Sequence, residues 1–276
     1  MDYQTWDRDA LQKTTYGHSG SSTAVWSTKP NGKPLIILVH GISGDHHGLA
    51  AIAYELSSLY QIAIVELPGH GNSDPIPLPD AKSLQRWFSA TLKSITTTIG
   101  NPALICAHSF GCSAVLSQEI IDKYTIILLN PVPTPSRTYA RYAKGIMRSA
   151  SFWAHIYNWP FLVYLRGRAL MQVRSKAARK RVSWAGHASR ANYTQTVYQA
   201  GLVDMILDGS AYRYASDGKV KLVICGLHDT TATQRDHPSF AKIFGSTEVT
   251  FVSGGHLLPI ESPDVVARII KSSMLH

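Results

Sequence analysis

The stretch that decides the fold is an apolar run that ends in a serine flanked by small residues. It reads Ala103-Leu104-Ile105-Cys106-Ala107-His108-Ser109-Phe110-Gly111, and a helical pattern follows over 112–124. The run predicts a buried strand, so Ser109 stands on a tight turn from strand to helix with its hydroxyl above the sheet edge. Ala107 and Gly111 are small enough for such a turn. Because a helix begins beside Ser109, its free N–H groups favour the negative charge that develops on attack.

A serine hydroxyl is a weak nucleophile, so a base and an orienting acid are expected at the ends of later strands. Asp229 follows the apolar run 220–225, and His256 follows the run 248–252. We therefore predict that Ser109 attacks, that His256 takes and returns its proton, and that Asp229 holds the imidazole.

Other carboxylates compete with Asp229 for the role of the acid. Asp204 lies in a segment that we interpret as an insertion, and Asp236 starts or precedes a helix. The end of the run 125–129 offers Asn130 and no carboxylate, which favours Asp229.

The loop His40-Gly41-Ile42-Ser43-Gly44 follows the apolar run 35–39 and is a candidate for part of an oxyanion hole. We expect the backbone N–H groups of Ile42 and Phe110 to be the two donors. His40 is interpreted as a residue that hydrogen-bonds the loop around it. His108, next to the nucleophile, either lines the substrate pocket or braces the turn.

Apolar runs of strand length alternate with helical patterns along most of the chain. The runs cover 35–39, 62–67, 103–107, 125–129, 220–225 and 248–252, and the helical patterns cover 49–59, 84–99, 112–124 and 264–274. This alternation predicts an α/β fold with a parallel sheet between helices. The last run is half polar, which is typical of an edge strand. Two earlier stretches, 11–17 and 23–28, predict an N-terminal hairpin.

The segment 131–218 interrupts the alternation and carries the surplus charge. It holds 13 Lys/Arg and 3 Asp/Glu, a net charge of +10. The remainder of the chain holds 14 Lys/Arg and 15 Asp/Glu, a net charge of −1. Without strand patterns, it is interpreted as a helical insertion. Its aromatic residues Trp153, Tyr157 and Trp159, together with His108, are candidate substrate contacts. The basic residues form either a solvated helix face or a lid that contacts an anionic ligand or anionic lipid.

In five places the chain resembles the α/β-hydrolase family. The matching pieces are His40-Gly41, Leu67-Pro68-Gly69-His70-Gly71-Asn72-Ser73, Ala107-His108-Ser109-Phe110-Gly111, Asp229 and Gly255-His256. The resemblance implies an eight-stranded, mostly parallel sheet flanked by helices, built from 1–130 and 219–276, with a helical cap over 131–218 inserted after strand 6. The chain departs from the family pattern at Ala107, where a glycine is usual, and at Glu66, where an aspartate often stands.

A serine activated in this way transfers an acyl group, usually to water. The chain is therefore predicted to be a serine esterase that cleaves a lipophilic small-molecule ester through an acyl-enzyme, with no cofactor. Alternatives are carbon–carbon bond hydrolysis or acyl transfer on the same scaffold, and a non-catalytic protein that binds a small molecule or nucleic acid. Nucleic acid is a disfavoured partner.

Composition argues against several other classes of protein. The 276 residues are 45% hydrophobic, too apolar for a disordered chain, and no apolar run reaches the roughly 18 residues of a membrane span. No secretory signal or disulfide framework is apparent, so we expect a cytoplasmic protein with Cys106 and Cys112 as packing residues. His46-His47 is not expected to bind a metal, because neighbouring histidines on a helix diverge and no carboxylate cluster is apparent.

Overall fold

An eight-stranded sheet forms the centre of the computed structural model, which describes residues 2–18, 20–148, 162, 165, 175–189, 191–209, 212, 220–232, 243–244 and 248–274. The strands are β1 (Leu11–His18), β2 (Ser21–Thr28), β3 (Leu35–Val39), β4 (Gln61–Val65), β5 (Pro102–His108), β6 (Ile126–Leu129), β7 (Leu222–Gly226) and β8 (Glu248–Val252). Their order across the sheet is β1-β2-β4-β3-β5-β6-β7-β8. The β1–β2 and β2–β4 pairs are antiparallel, and the others are parallel. The predicted α/β class, the N-terminal hairpin and the edge position of β8 are confirmed.

Helices cover both faces of the sheet. They are α1 (Tyr3–Ala10), α2 (Ala50–Leu56), α3 (Ala81–Thr98), α4 (Gly111–Val115), α5 (Gln118–Lys123), α6 (Arg137–Arg148), α7 (Lys176–Ala188), α8 (Tyr193–Asp208), α9 (Leu258–Glu261) and α10 (Pro263–Ser273), with a short 3₁₀ turn at His46–Gly48. Within these described elements, no helix is both long and apolar enough to cross a membrane.

The predicted helix over 112–124 is two helices. The break falls at Leu116, which leaves the helical conformation at φ −90° and ψ 40° and is fully buried. Ser117 is extended and starts α5. The side-chain pattern is apolar on both sides of this break, so the pattern alone reads as one continuous helix.

Alternating side chains on the strands divide the core into two layers. On β3, Ile37 and Val39 pack in the layer under α3 and α4, whereas Ile36 and Leu38 pack in the layer under α2 and α10. All five residues of β3 are buried, as expected for a central parallel strand. Each fully buried isoleucine or leucine contributes roughly 1.5–3 kcal/mol. The sheet is therefore a rigid base for the loops at its carboxyl edge.

The segment 131–218, which the sequence leads us to interpret as an insertion and which is called the inserted segment below, packs on this base through α7 and α8. On α8, Leu202 and Ile206 join the core layer under α3, and on α7, Val182 packs against Leu257 and Ile260. The segment is thus fixed next to the turn that follows β8.

Candidate active site

Ser109 occupies the sharp turn between β5 and α4. It has a φ of +53°, which is uncommon for a residue with a Cβ, and its N–H donates to the Leu129 carbonyl at 2.9 Å. The turn needs a glycine at position 111, because a Cβ there would lie 2.3 Å from the carbonyl oxygen of His40. A Cβ at Gly41 would lie 2.9 Å from the Cβ of Ser109. The loop after β3 therefore lies directly against the serine.

Ser109, His256 and Asp229 form a continuous hydrogen-bonded chain. The Oγ of Ser109 lies 2.7 Å from Nε2 of His256, and Nδ1 of His256 lies 2.7 Å from Oδ2 of Asp229. All three residues are at most 5% exposed. With Nδ1–H donating to the carboxylate, Nε2 is left to accept the serine proton.

Asp229 is held ionised by its surroundings. Burial acts to raise the pKa of its carboxyl, but the charge and hydrogen bond of His256 and the backbone N–H groups of Thr231 and Ala232 outweigh burial and hold the pKa below its usual value. The competing Asp204 is exposed on α8, and Asp236 lies outside the described residues.

A buried carboxylate supports the turn that carries His256. Glu261 is 2% exposed, and its side chain accepts hydrogen bonds from the N–H of Gly255 at 3.1 Å and of Leu257 at 3.1 Å. These are the residues on either side of His256, so Glu261 fixes the backbone from which the imidazole projects.

Asn130 and His108 hold the same turn from the sheet side. Asn130 donates from Nδ2 to the Gly255 carbonyl at 2.8 Å and accepts from the Gly226 N–H at 2.9 Å. Nε2 of His108 donates to the His256 carbonyl at 2.8 Å. Burial lowers the pKa of His108 to about 3, so the ring is neutral. This geometry favours bracing over the tentative role of His108 as a substrate contact.

Two buried, neutral histidines shape the loop that contains Ile42. His40 donates from Nδ1 to the Gly41 carbonyl at 2.7 Å, as interpreted from the sequence, and accepts from the Leu67 N–H at 3.1 Å. His70 accepts from the Ser43 N–H at 3.2 Å. Burial lowers the pKa of His40, and it lowers that of His70 to about 3. The backbone on both sides of Ile42 is therefore fixed next to Ser109.

The inserted segment reaches the site through polar contacts with backbone. Arg181 on α7 donates to the carbonyls of Ile260 and Glu261 at 2.6 and 2.8 Å, and Gln199 on α8 donates to the Gly69 carbonyl at 2.9 Å. These hydrogen bonds from Arg181 fix the position of α9. The predicted substrate contacts Trp153, Tyr157 and Trp159 lie outside the described residues.

The cysteines near the serine are unsuited to nucleophilic attack. Cys106 and Cys112 are at most 2% exposed, and burial raises the pKa of both thiols. Burial also raises the pKa of Cys225 to about 12. Their predicted role as packing residues agrees with this burial.

Comparison with known proteins identifies the family. Residues 36–269, which run from β3 into α10, match the model of the Alpha/beta hydrolase family. The chain belongs to the alpha/beta hydrolase family. The expected hydrolase fold with its eight-stranded sheet is thereby confirmed.

Individual relatives are distant from this alpha/beta hydrolase. A protein of Haemophilus influenzae named "Putative esterase/lipase" is 25% identical over 105 residues, which are 36% of this chain and 36% of that protein. The enol-lactonase of Burkholderia xenovorans LB400 superposes with a TM-score of 0.74 at 16% identity, over 95% of this chain and 100% of that one. A membrane phospholipase A, described as a bacterial virulence factor, superposes with a TM-score of 0.73 at 14% identity, over 98% of this chain and 88% of that one. At these identities the two structures show a shared fold.

Around His46 and His47 the structure differs from the expectation that the two rings diverge and that no carboxylates lie near them. The two rings lie side by side with centroids 3.8 Å apart, and three carboxylates, from Asp7, Asp45 and Glu66, surround them. The sequence did not reveal this group because α1, the loop after β3 and the end of β4 contribute to it separately. Together these side chains could hold a metal ion.

Proposed function

We propose that this alpha/beta hydrolase cleaves a carboxylic ester of a lipophilic small molecule through an acyl-enzyme on Ser109. The observation that carries the proposal is the pair of consecutive 2.7 Å contacts, from Ser109 to His256 and from His256 to Asp229. A serine with a base and an oriented acid is the arrangement that acyl transfer requires.

In the first half of the reaction, Oγ of Ser109 attacks the ester carbonyl while its proton moves to Nε2 of His256. The carbonyl oxygen gains negative charge, which the backbone N–H groups of Phe110 and Ile42 stabilise. Asp229 stabilises the imidazolium that forms. The intermediate then collapses, the bond to the alcohol breaks, and His256 donates its proton to the departing alcohol oxygen.

In the second half, a water molecule takes the place of the alcohol. His256 removes one proton from this water as its oxygen attacks the acyl carbon. The carboxylic acid then leaves, and His256 returns the proton to Ser109. The enzyme is restored without a cofactor.

A lipophilic ester is favoured by the composition of the inserted segment and by the relatives. The segment 131–218 contains the large aromatic residues Trp153, Tyr157 and Trp159, a composition that suits a hydrophobic acyl pocket. The relatives include proteins named as an esterase/lipase and a phospholipase A. The exposed basic residues of α7, Lys176, Arg179 and Lys180, are available for peripheral contact with anionic lipid.

Turnover of a series of p-nitrophenyl esters of increasing acyl length tests this proposal. We expect Ser109→Ala to abolish turnover, and the alanine keeps the Cβ that the turn already accommodates. Ser117→Ala is the matched control, because the Ser117 hydroxyl is buried and no described residue forms a hydrogen bond with it. Full activity in Ser109→Ala would contradict the assignment. A wild-type enzyme that cleaves no ester of any length would favour acyl transfer or carbon–carbon cleavage.

A further inference from the structure

We propose that Asp7, His46 and His47 form a zinc site, separate from the catalytic residues, that joins α1 to the end of the loop that contains Ile42. One potential ligand atom from each of the three residues lies within 4.8 Å of the other two. Asp7 lies on α1, and His46 and His47 begin the 3₁₀ turn after the loop 40–45.

The two imidazoles are oriented as metal-binding histidines usually are. Nδ1 of His46 lies 2.6 Å from Oε1 of Glu66, and Nδ1 of His47 lies 3.0 Å from Oδ1 of Asp45. A carboxylate on one ring nitrogen fixes the tautomer and makes the other nitrogen a better ligand. Both Nε2 atoms are therefore left to face Asp7.

Asp7 is a buried carboxylate that lacks a full set of partners. It is 6% exposed, and its Oδ1 atom has no hydrogen-bond partner among the residues that the structure describes. Its Oδ2 atom lies 4.0 Å from Nε2 of His46 and 3.9 Å from Nε2 of His47, beyond hydrogen-bond range. A buried carboxylate in such surroundings is costly unless a cation compensates it.

The spacing fits a small divalent ion. With bonds of about 2.0–2.2 Å, tetrahedral ligand atoms lie roughly 3.4 Å apart. An ion would therefore shorten the 3.9 and 4.0 Å separations between Asp7 Oδ2 and the two Nε2 atoms by about half an ångström. Two imidazoles and one carboxylate are a ligand set that suits Zn²⁺. The His47 side chain is 21% exposed, which leaves room for a water as the fourth ligand.

Packing holds both rings in place. Trp26 stacks on His46 with a centroid distance of 3.9 Å, and Trp184 of α7 meets His47 edge-on at 5.3 Å. Ser189, just after α7, donates a hydrogen bond to Asp45. An ion at this site would therefore join the N-terminal helix to the loop that contains Ile42, where α7 already packs on that loop.

Zinc content of the full chain, purified without a histidine tag, tests the proposal. After treatment with a chelator and dialysis against excess ZnCl₂ followed by buffer, we expect one Zn²⁺ per chain by mass spectrometry, with a higher Tm than the chelated protein. Asp7→Asn and His47→Gln should lose stoichiometric zinc. Asp45→Asn should weaken binding about 10–100-fold, because it acts through His47. His187→Gln, an exposed histidine of α7, should bind as the wild type does.

Cobalt substitution tests the site without any variant. Co²⁺ added to the chelated wild type should give the visible bands of a tetrahedral site with nitrogen and oxygen ligands. A thiolate-to-cobalt band would place the ion on a cysteine and overturn the proposal. Absence of stoichiometric zinc in the wild type, or zinc retained by both Asp7→Asn and His47→Gln, would also overturn it. None of these readouts depends on ester turnover.

Discussion

Replacing His108 by glutamine should make the protein less sensitive to acid. The ring is neutral, and its Nε2 donates to the carbonyl of His256. A glutamine can place its Nε2 donor at a similar position but does not titrate. The variant therefore keeps the hydrogen bond and removes the proton uptake that accompanies unfolding.

The magnitude follows from the pKa of the imidazole in the two states. Burial lowers the pKa of His108 to about 3 in the folded protein, against about 6.5 in an unfolded chain. Because the pKa is lower in the folded protein than in the unfolded chain, the contribution of His108 to the free energy of unfolding is fully present above pH 6.5. This contribution is lost as the pH falls toward 3. Between pH 7 and pH 5 the loss is about 2 kcal/mol for one such histidine. His70, with a pKa of about 3, adds a similar amount.

Urea unfolding at pH 7, 6 and 5 measures this difference. Over this range, His70 and His108 together should lower the free energy of unfolding of the wild type by about 4 kcal/mol. The His108→Gln variant should lose about 2 kcal/mol less than the wild type does. The exposed His187→Gln variant should follow the wild type. If His108→Gln loses as much free energy as the wild type between pH 7 and pH 5, the reasoning about the buried neutral ring is refuted.

The variant His108→Ala, which removes this hydrogen bond, separates the two roles considered for His108. A brace for His256 predicts a lower kcat with KM unchanged across ester lengths. A substrate contact predicts a KM that changes with acyl length. The hydrogen bond to the His256 backbone leads us to expect the first result.

Three further substitutions test the site and its frame. Asp229→Asn should lower kcat by about 10⁴-fold, whereas Asp204→Asn, on the exposed face of α8, should leave it unchanged in the same ester assay. Glu261→Gln turns an amide donor toward backbone N–H groups, so the free energy of unfolding in urea should fall by about 1–3 kcal/mol. The same variant should have a lower kcat in the ester assay. Gly111→Ala forces a Cβ against backbone and should cost about 3 kcal/mol or more in thermal unfolding. Gly201→Ala, on the exposed face of α8, should not destabilise the protein, because no described residue comes within 4 Å of the added Cβ.

The strands and the catalytic candidates could be predicted because each depends on local sequence. A strand such as β3 is buried on both faces, so it appears as a continuous apolar run. The ends of such runs meet at one edge of a parallel sheet. Ser109, Asp229 and His256 each follow a run, and in the structure they come within hydrogen-bond distance of one another.

Features that depend on contacts between distant segments were not predictable in this way. Helix α1 is short and polar on average, and it is held by packing such as that of Trp6 on Tyr54. Glu261 supports His256 only because α9 folds back under the turn. Asp7 meets His46 across almost forty residues of chain, and no local pattern indicates that contact.

Covalent labelling of Ser109 tests the central claim most directly. The wild-type protein is treated with a fluorophosphonate, its intact mass is measured, and the modified peptide is sequenced by mass spectrometry. We predict one adduct per chain, on Ser109, and none in Ser109→Ala, with slower labelling in Asp229→Asn. An adduct on another residue, or a folded wild type that is not labelled, would contradict the account.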